Sequence, residues 1–257
     1  MLRPILHVLK IGGKLIEDPD KLQKTLRMFH QLEGYKILVH GGGKRADELL
    51  TQMGIKPQMH EGRRITDEAT LEVIVMVYAG LLNKQIVSQL QAMDCNAIGL
   101  SGADGDLIRA HKRKVKDIDY GYAGDIDQVN AQALSQLIGA GFTPVFCAVT
   151  HDHKGQLLNT NADTIASSIA RAMTGHFSVS LKLCFEKDGV LSDPKNEKSV
   201  IRQIDRQDYK DYCKKGTISE GMIPKMDNAF EALSEGVLEV VIGSPESMSK
   251  GEATRLV

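Results

Sequence analysis

Short apolar runs alternate along the chain with longer segments whose apolar residues recur at helical spacing. We predict strands at six of these runs, residues 5–9, 35–40, 96–100, 143–149, 177–184 and 238–243. Strands separated in this way by helices are typical of a parallel sheet with helices on its faces. The pattern therefore predicts one continuous α/β unit built on an open, mainly parallel sheet.

Capping residues mark the ends of several predicted helices. Asp18 is placed to cap the helix after the first strand, and Pro19 fits its first turn. We expect Asn130 and Asn161 to cap two later helices. Residues 107–128 are instead polar and rich in turn residues. There we predict hairpins laid over the edge of the sheet rather than another strand–helix–strand unit.

Composition and charge narrow the class of protein. The chain has 257 residues, 42% hydrophobic and 25% charged, which is close to the globular average and excludes a disordered chain. Its net charge of −1 provides no overall basic surface for nucleic acid or an anionic membrane. The longest apolar stretch, residues 73–82, is shorter than the ~20 residues that span a bilayer. We therefore expect neither nucleic acid nor a membrane as a partner.

The four cysteines are scattered along the chain, without a disulfide framework and without the spacing of zinc ligands. The N-terminus also lacks the apolar core and cleavage site of a signal peptide. These features predict a reduced, cytoplasmic protein. They give no support for a metal site built from side chains.

Glycines follow the first two predicted strands directly. They are Gly12, Gly13, Gly41, Gly42 and Gly43, and Lys10 precedes the first pair. The carboxyl ends of parallel strands open on one side of a sheet, so both loops are expected to face the same crevice. Without side chains, the backbone N–H groups there can approach an anion closely, and the helix that follows adds a favourable dipole. The pattern indicates a phosphate-binding site.

Two known phosphate motifs give different answers. The P-loop pattern is absent, because Lys44 is followed by Arg45 rather than by Ser or Thr. Gly41, Gly43 and Ala46 do match the dinucleotide-binding spacing of NAD(P)-dependent oxidoreductases, and Glu61 follows where a ribose-binding acid is wanted. A dinucleotide site would leave the loop after Lys10 without a role. We retain an NAD(P)-dependent oxidoreductase as the alternative function.

Five motifs occur together in one order: KIGG, VHGGG, EGRRIT, LLNTNAD and SEGMIPK. With this set the chain resembles the amino-acid kinase family, from Lys10 to its end, and within it the members that act on N-acylated glutamate. The resemblance implies a single domain, residues 1–257, folded as a three-layer α/β/α sandwich. It also implies that residues 1–175 bind the acyl-glutamate and residues 176–257 bind the nucleotide.

The resemblance implies a reaction as well. The γ-phosphoryl group of ATP, bound with Mg²⁺, would pass to the side-chain carboxylate of N-acetyl- or N-succinyl-glutamate, a step of arginine biosynthesis. A carboxylate is already ionised at about pH 7, so the nucleophile needs no general base. Transfer then depends on positioning and on cations that neutralise the phosphoryl oxygens.

Matching the motifs by position implies roles for individual residues. The catalytic set is Lys10, Asp163 and Lys225, and the substrate-binding set is Gly41, Gly42, Arg64 and Asn159. The nucleotide-binding set is Gly12, Gly13, Lys187, Asp188, Gly189, Thr217, Ile218 and Ser219. No acidic cage is visible, so Mg²⁺ would be held by ATP phosphates and water.

Two stretches depart from the family pattern. Residues 184–191 read CFEKDGVL, where the family usually has an Asp at the end of the strand, so the nucleotide contacts differ there. Lys44 and Arg45 stand at the start of a helix, where the dipole disfavours cations. They are interpreted as a solvated pair. The alternative is that they receive the extra carboxylate of a succinyl group.

The short N-terminal segment bears on the oligomeric state and on regulation by arginine. Family members inhibited by arginine carry an extra N-terminal helix that joins dimers into hexamers, whereas nine residues precede Lys10 here, so we expect an arginine-insensitive homodimer. A long helix from Thr66 is a candidate for the dimer contact, through Ile74, Val77, Tyr78 and Leu81, although an ordinary buried helix has the same pattern. Another carboxylate kinase or an inactive sensor of the same fold remains as a further alternative.

Overall fold

A computed structural model of the chain describes residues 3–60, 62–115, 117–218 and 222–257. The strands are β1 Ile5–Ile11, β2 Tyr35–His40, β3 Gln58–His60, β4 Arg63–Ile65, β5 Ala97–Leu100, β6 Ile108–Lys112, β7 Gly124–Val129, β8 Thr143–Cys147, β9 Val149–His151, β10 Leu157–Asn159, β11 Ser178–Cys184, β12 Gln203–Ile204, β13 Glu239–Gly243 and β14 Thr254–Leu256. The helices are α1 Gly13–Ile16, α2 Pro19–Gln31, α3 Gly43–Gln52, α4 Glu68–Val75, α5 Asn83–Gln91, α6 Ala131–Gly139, α7 Ala162–Met173, α8 Arg206–Lys214, α9 Ile223–Ser234 and α10 Pro245–Ser249.

The central sheet has eight strands in the order β12-β14-β13-β11-β1-β2-β8-β5. Neighbours from β13 to β5 run parallel, and β12 runs parallel to β14, whereas β14 pairs with β13 in the antiparallel sense. The mainly parallel α/β sheet predicted from the sequence is therefore confirmed. One predicted strand was too long: residues 143–149 divide at Ala148, and the chain leaves the central sheet there to enter β9.

A second, four-stranded sheet has the order β10-β9-β6-β7. Its β6 and β7 pair in the antiparallel sense, as the turn-rich composition of residues 107–128 predicts. Strand β9 joins the two sheets, because it follows β8 almost directly and pairs antiparallel with β10. The pair Val149 and Asn159 lies at the end of the β9–β10 hairpin nearest β8, and the pair His151 and Leu157 lies at its turn.

The predicted helix caps are present. The Asp18 carboxylate accepts hydrogen bonds from the N–H groups of Asp20 and Lys21. Asn130 and Asn161 cap α6 and α7 in the same way. Such side chains satisfy N–H groups that have no partner within the helix.

The helix expected from Thr66 begins at Glu68, and it continues through a π-helical segment, Met76–Leu82, into α5. Over its most apolar stretch the helix Glu68–Gln91 has a mean hydropathy of 1.3, so by length and composition it could span a membrane. Half of that stretch is buried inside the fold, and the core helix of a globular protein passes the same test.

The residues proposed for a dimer contact lie mostly in the core of this chain. Ile74, Val77 and Tyr78 are buried against it, whereas Leu81 is 41% exposed. For three of the four side chains the structure therefore supports the alternative of an ordinary buried helix over a dimer contact. Their spacing in the sequence is the same for a core helix and for an interface helix, and the surrounding elements decide between the two.

Candidate functional site

The carboxyl ends of the central parallel strands lie side by side. Ile11 at the end of β1 is level with His40 of β2 and with Cys184 of β11. Gly243 at the end of β13 is in turn level with Cys184. The loops that follow these strands therefore share one edge of the sheet, as the sequence predicts.

Lys10, Asp163 and Lys225 meet at this edge from three different elements. Lys10 lies on β1, Asp163 in the first turn of α7, and Lys225 near the start of α9. The ammonium nitrogens of Lys10 and Lys225 lie 3.0 and 2.7 Å from the same carboxylate oxygen, Oδ1 of Asp163. All three side chains are largely buried, with 12–17% of their surface exposed. Two cations thus share one anion.

The electrostatics of this group leave it positive. Burial alone would raise the pKa of the Asp163 carboxyl, but Lys10 and Lys225 outweigh that effect and lower the pKa to about 2. Burial and the nearby Lys10 ammonium lower the pKa of Lys225 from its ordinary value, against the opposing effect of Asp163. With both lysines protonated, the group carries one excess positive charge. It can hold a further anion.

The second glycine loop is held close to the helix behind it. Gly42 precedes α3 and has no side-chain cap, so the first N–H groups of that helix are not used by a capping residue. A Cβ atom on Gly42 would overlap with Leu82 and lie 3.1 Å from the Tyr78 ring. Glycine is therefore required for the loop to lie against the π-helical segment. A helix start of this kind attracts anions.

Buried hydrogen bonds below the loop fix its direction. The Asn83 side-chain amide donates to Val145 O at 2.9 Å and to Nε2 of His40 at 3.1 Å. Because that nitrogen accepts, Nδ1 of His40 carries the proton and donates to Gly41 O at 2.8 Å. Burial lowers the pKa of His40 to about 4, which keeps the ring neutral. Neither residue was singled out from the sequence.

A cavity of about 240 Å³ opens between the two glycine loops and the second sheet. Seven residues of the predicted site line it: Lys10, Gly13, Gly41, Gly42, Arg64, Asn159 and Asp163. Arg63 and Arg113 line it as well. Neither arginine was assigned to the site from the sequence, and Arg113, which follows β6 of the hairpin sheet, has no motif around it.

Arg64 and Asn159 are fixed by other side chains at the cavity wall. The guanidinium of Arg64 is buried, is paired with the Asp47 carboxylate and donates to Gly43 O at 3.0 Å. Asn159 donates through Nδ2 to the Thr66 hydroxyl at 3.0 Å. Both side chains are positioned before any ligand arrives, which is a condition for selective binding.

Several residues predicted to contact nucleotide have other partners. The N–H of Gly12 donates to Cys184 O at 2.8 Å, so this group is not free for a phosphate. Lys187 pairs with Glu197 at 2.5 Å, and the Asp188 carboxylate accepts from the Ser244 hydroxyl at 2.6 Å. A Cβ on Gly189 would lie 2.5 Å from the Thr254 hydroxyl, so close packing requires glycine there.

Three more residues predicted to contact nucleotide, Thr217, Ile218 and Ser219, follow the end of α8. Thr217 donates its N–H to Tyr212 O, and Ile218 is buried in the core. Ser219 lies outside the described residues. Of the described residues predicted to contact nucleotide, Gly13 lines the cavity, whereas Gly12, Lys187, Asp188, Gly189, Thr217 and Ile218 do not.

The structure also bears on Lys44 and Arg45, the cations at the start of α3. Lys44 pairs with Glu17 at 3.1 Å, and Arg45 pairs with Glu48 at 2.8 Å. Both side chains are about half exposed or more, at 65% and 47%. They do not line the cavity. The interpretation as solvated surface cations agrees with this geometry, and a role in binding an extra carboxylate does not.

The dinucleotide-binding alternative lacks its expected framework. Glu61, its candidate ribose-binding acid, lies outside the described residues. The strand before it, β3, pairs antiparallel with β4 in a separate two-stranded sheet. A ribose-binding acid is instead expected at the end of the second parallel strand of the main sheet. The glycine loop after β2 therefore has the glycines of the dinucleotide-binding motif, but the strand that follows it does not place an acid where that motif needs one.

Comparison with known proteins agrees with this architecture. The chain is 49% identical to the acetylglutamate kinase of Parabacteroides distasonis over 98% of both chains, and 50% identical to that of Phocaeicola vulgatus over 97% of both. A solved structure of N-acetylglutamate synthase from Neisseria gonorrhoeae shares the fold, with a TM-score of 0.80 and 23% identity over 95% of this chain and 55% of that one. The model of the amino acid kinase family matches residues 6–244. The chain belongs to the amino acid kinase family.

Proposed function

We propose that the protein is an acetylglutamate kinase, which transfers the γ-phosphoryl group of ATP to the side-chain carboxylate of N-acetyl-L-glutamate. The observation that carries this proposal is the contact of Lys10 and Lys225 with one oxygen of Asp163, which leaves an excess positive charge at the mouth of the glycine loops. Relatives named acetylglutamate kinase match nearly the whole chain. The product would be an acyl phosphate, an intermediate suited to arginine biosynthesis.

The two lysines would act on opposite oxygens of the transferring group. In phosphoryl transfer, negative charge is spread over the equatorial oxygens while the attacking and leaving oxygens lie roughly in line. An ammonium on each side neutralises that charge without forming a bond to the phosphoryl group. Asp163 contacts both ammonium groups and does not itself donate a proton, because its lowered pKa of about 2 keeps it ionised.

The acceptor would lie in the cavity between the glycine loops and the hairpin sheet. Its α-carboxylate would meet the Arg64 guanidinium and the Asn159 amide, both of which line the wall. The N–H groups of Gly41 and Gly42 would receive oxygens of the reacting carboxylate. This arrangement supports binding by polar groups that are already in place, so little ordering cost is incurred on binding.

ATP would lie at the adjacent ends of β11 and β13, with residues 176–257 forming the nucleotide side and residues 1–175 the acceptor side. Because Lys187 and Asp188 have side-chain partners, we propose that the stretch Lys187 to Gly189 contacts ATP through its backbone, together with Thr217 and Ile218. Asp163 is the one acidic residue that lines the described cavity, and both lysines use it. Mg²⁺ would therefore be held by the ATP phosphates and water.

A cytoplasmic homodimer remains our prediction for the working protein. Of the helix Glu68–Gln91, the side chains of Met76 and Leu81 are exposed, at 50% and 41%, and they could contribute to a contact. Light scattering of the purified protein measures the mass directly. A mass of one or six chains would contradict the prediction.

A hydroxylamine trap for acyl phosphate tests the reaction. The protein is incubated with MgATP and, in turn, with glutamate, N-acetylglutamate, N-succinylglutamate, N-acetylaminoadipate and aspartate. We expect coloured hydroxamate with N-acetylglutamate. Hydroxamate with N-succinylglutamate alone would identify a different acyl group on the same reaction.

Two further results separate the alternatives. No hydroxamate with any acceptor, together with thermal stabilisation by ATP, would contradict the proposed reaction and favour an inactive sensor or a kinase for another acid. Stabilisation by NADH and not by ATP would contradict the kinase itself and favour the oxidoreductase.

A further inference from the structure

A cluster of two histidines and one aspartate lies on the hairpin sheet, outside the cavity described above. Asp106 ends the short 3₁₀ turn before β6, His151 ends β9, and His153 follows it in the β9–β10 turn. One nitrogen of each histidine and one oxygen of Asp106 lie within 4.8 Å of one another. We propose that these three side chains form a binding site for a first-row divalent metal ion with the preferences of Zn²⁺.

The distances are those of atoms that share an ion. Oδ1 of Asp106 lies 3.0 Å from Nε2 of His151 and 3.4 Å from Nδ1 of His153. Zinc binds imidazole nitrogen and carboxylate oxygen at about 2.0–2.2 Å, so two ligands separated by an angle of about 90–110° at the metal lie about 2.8–3.6 Å apart. A water molecule would complete a four-coordinate site.

A hydrogen bond does not account for the approach of His151 to Asp106. The side chain of His151 is 14% exposed, and its buried Nε2 makes no hydrogen bond within the described part of the chain, although a carboxylate oxygen lies 3.0 Å away. Another histidine provides a matched contrast. His111 hydrogen-bonds Asp127 through Nδ1 at 2.6 Å, and its position is explained by that bond.

The charge of Asp106 suits a cation ligand. The guanidinium of Arg109 donates to this carboxylate through Nε, and a positive neighbour of this kind favours the charged form of Asp106. Arg109 also competes for the carboxylate, with Nε 2.7 Å from Oδ1. The geometry therefore predicts that the arginine weakens metal binding and that its removal strengthens it.

Zinc titration of the full-length, tag-free protein against a chromophoric chelator tests the site. We expect one Zn²⁺ per chain, and at least about tenfold weaker binding in His153→Asn and in Asp106→Asn. Asparagine suits both positions, because the backbone is left-handed there, with φ of 58° at His153 and 56° at Asp106. His111→Asn, the matched control, should bind zinc as the wild type does.

Two additional measurements distinguish a built site from scattered surface histidines. Co²⁺ should give the visible absorption of a four-coordinate site, lost in His153→Asn. Arg109→Gln should bind Zn²⁺ more tightly than the wild type. The proposal is overturned if the wild type binds no Zn²⁺, if binding is unchanged in His153→Asn, or if Arg109→Gln leaves the affinity equal or lower. Because His153 is 60% exposed on a turn, its variant is expected to fold.

Discussion

The two sides of the cleft use their charged side chains differently. On the proposed acceptor side, formed by β1, β2, the start of α7 and the hairpin sheet, Lys10 and Asp163 line a cavity, and with Lys225 of α9 they form a group with one excess positive charge. On the proposed nucleotide side, Glu186 after β11 pairs with Lys14 of α1, and Lys187 pairs with Glu197. The cavity therefore offers charged side chains to an anion. The charged side chains that follow β11 have partners, so we propose that ATP is bound there through the backbone.

We expect the largest effect on activity from removing the Asp163 carboxylate, which both lysines share. In Asp163→Asn the ammonium groups of Lys10 and Lys225 lose their common partner and repel each other, so we expect kcat to fall by about 100-fold or more. Without Asp163 the pKa of Lys225 falls further, because the carboxylate opposes the lowering. The alkaline limb of the pH–rate profile should therefore move to lower pH. An unchanged kcat would contradict the assigned role.

A substitution at Asn159, in the cavity wall, tests whether the cavity binds the carboxylate of the acceptor. Asn159→Asp is nearly the same shape but places a negative charge in the cavity. We expect the KM for N-acetylglutamate to rise about tenfold or more, with the KM for ATP unchanged. Steady-state kinetics with each substrate varied in turn measure both values. A rise in the KM for ATP alone would mean that Asn159 contacts the nucleotide and would contradict its assignment to the acceptor.

His40, which supports the glycine loop after β2, makes the free energy of unfolding depend on pH. Its pKa is about 4 in the folded protein and near 6.5 in the unfolded chain, so the unfolded state binds the proton first as pH falls. The stabilisation is complete above about pH 6.5 and is lost as pH falls towards 4. Between pH 7 and 5 the free energy of unfolding should drop by about 2 kcal/mol from this residue.

Urea unfolding at both pH values measures the effect. His40→Asn should lack this part of the pH dependence, whereas His176→Asn, a change at an exposed histidine, should retain it. Equal slopes in the wild type and His40→Asn would show that the ring is not buried and neutral.

The smallest expected effect lies on the nucleotide side. In Asp188→Asn the amide oxygen can still accept from the Ser244 hydroxyl, and no charge is lost from a binding site. We expect the KM for ATP and the kcat to stay as in the wild type. A clear rise in the KM for ATP would mean that the Asp188 carboxylate contacts the nucleotide or its metal, and that the two sides of the cleft are more alike than proposed.

The sequence was sufficient where local pattern decides the structure. Apolar runs located the strands of the parallel sheet, and Asp18 and Asn161 were recognised as caps because capping depends on residues three positions apart. The glycine loops followed from their places directly after two strands. Lys10, Asp163 and Lys225, which come from distant elements, were grouped by the resemblance to the amino-acid kinase family.

Contacts between distant elements could not be predicted from the sequence. Asn83 reaches His40 from 43 positions away, and no local pattern marks either residue as a support for the glycine loop. Arg113 arrives from a hairpin whose placement depends on packing of the second sheet. Asp188 was assigned to the nucleotide by its position in the motif, and the hydrogen bond that its carboxylate accepts from the Ser244 hydroxyl became visible only in the structure.

The most direct test of the central claim compares two lysine variants in the acyl phosphate trap with MgATP and N-acetylglutamate. Lys225→Ala leaves Asp163 paired with Lys10, so the fold should persist, and Lys250→Ala removes an exposed lysine that does not line the cavity. We predict that Lys225→Ala forms hydroxamate at least about 100-fold more slowly than the wild type, while Lys250→Ala matches it. Equal rates in the two variants would contradict a phosphoryl site built on Lys10, Asp163 and Lys225.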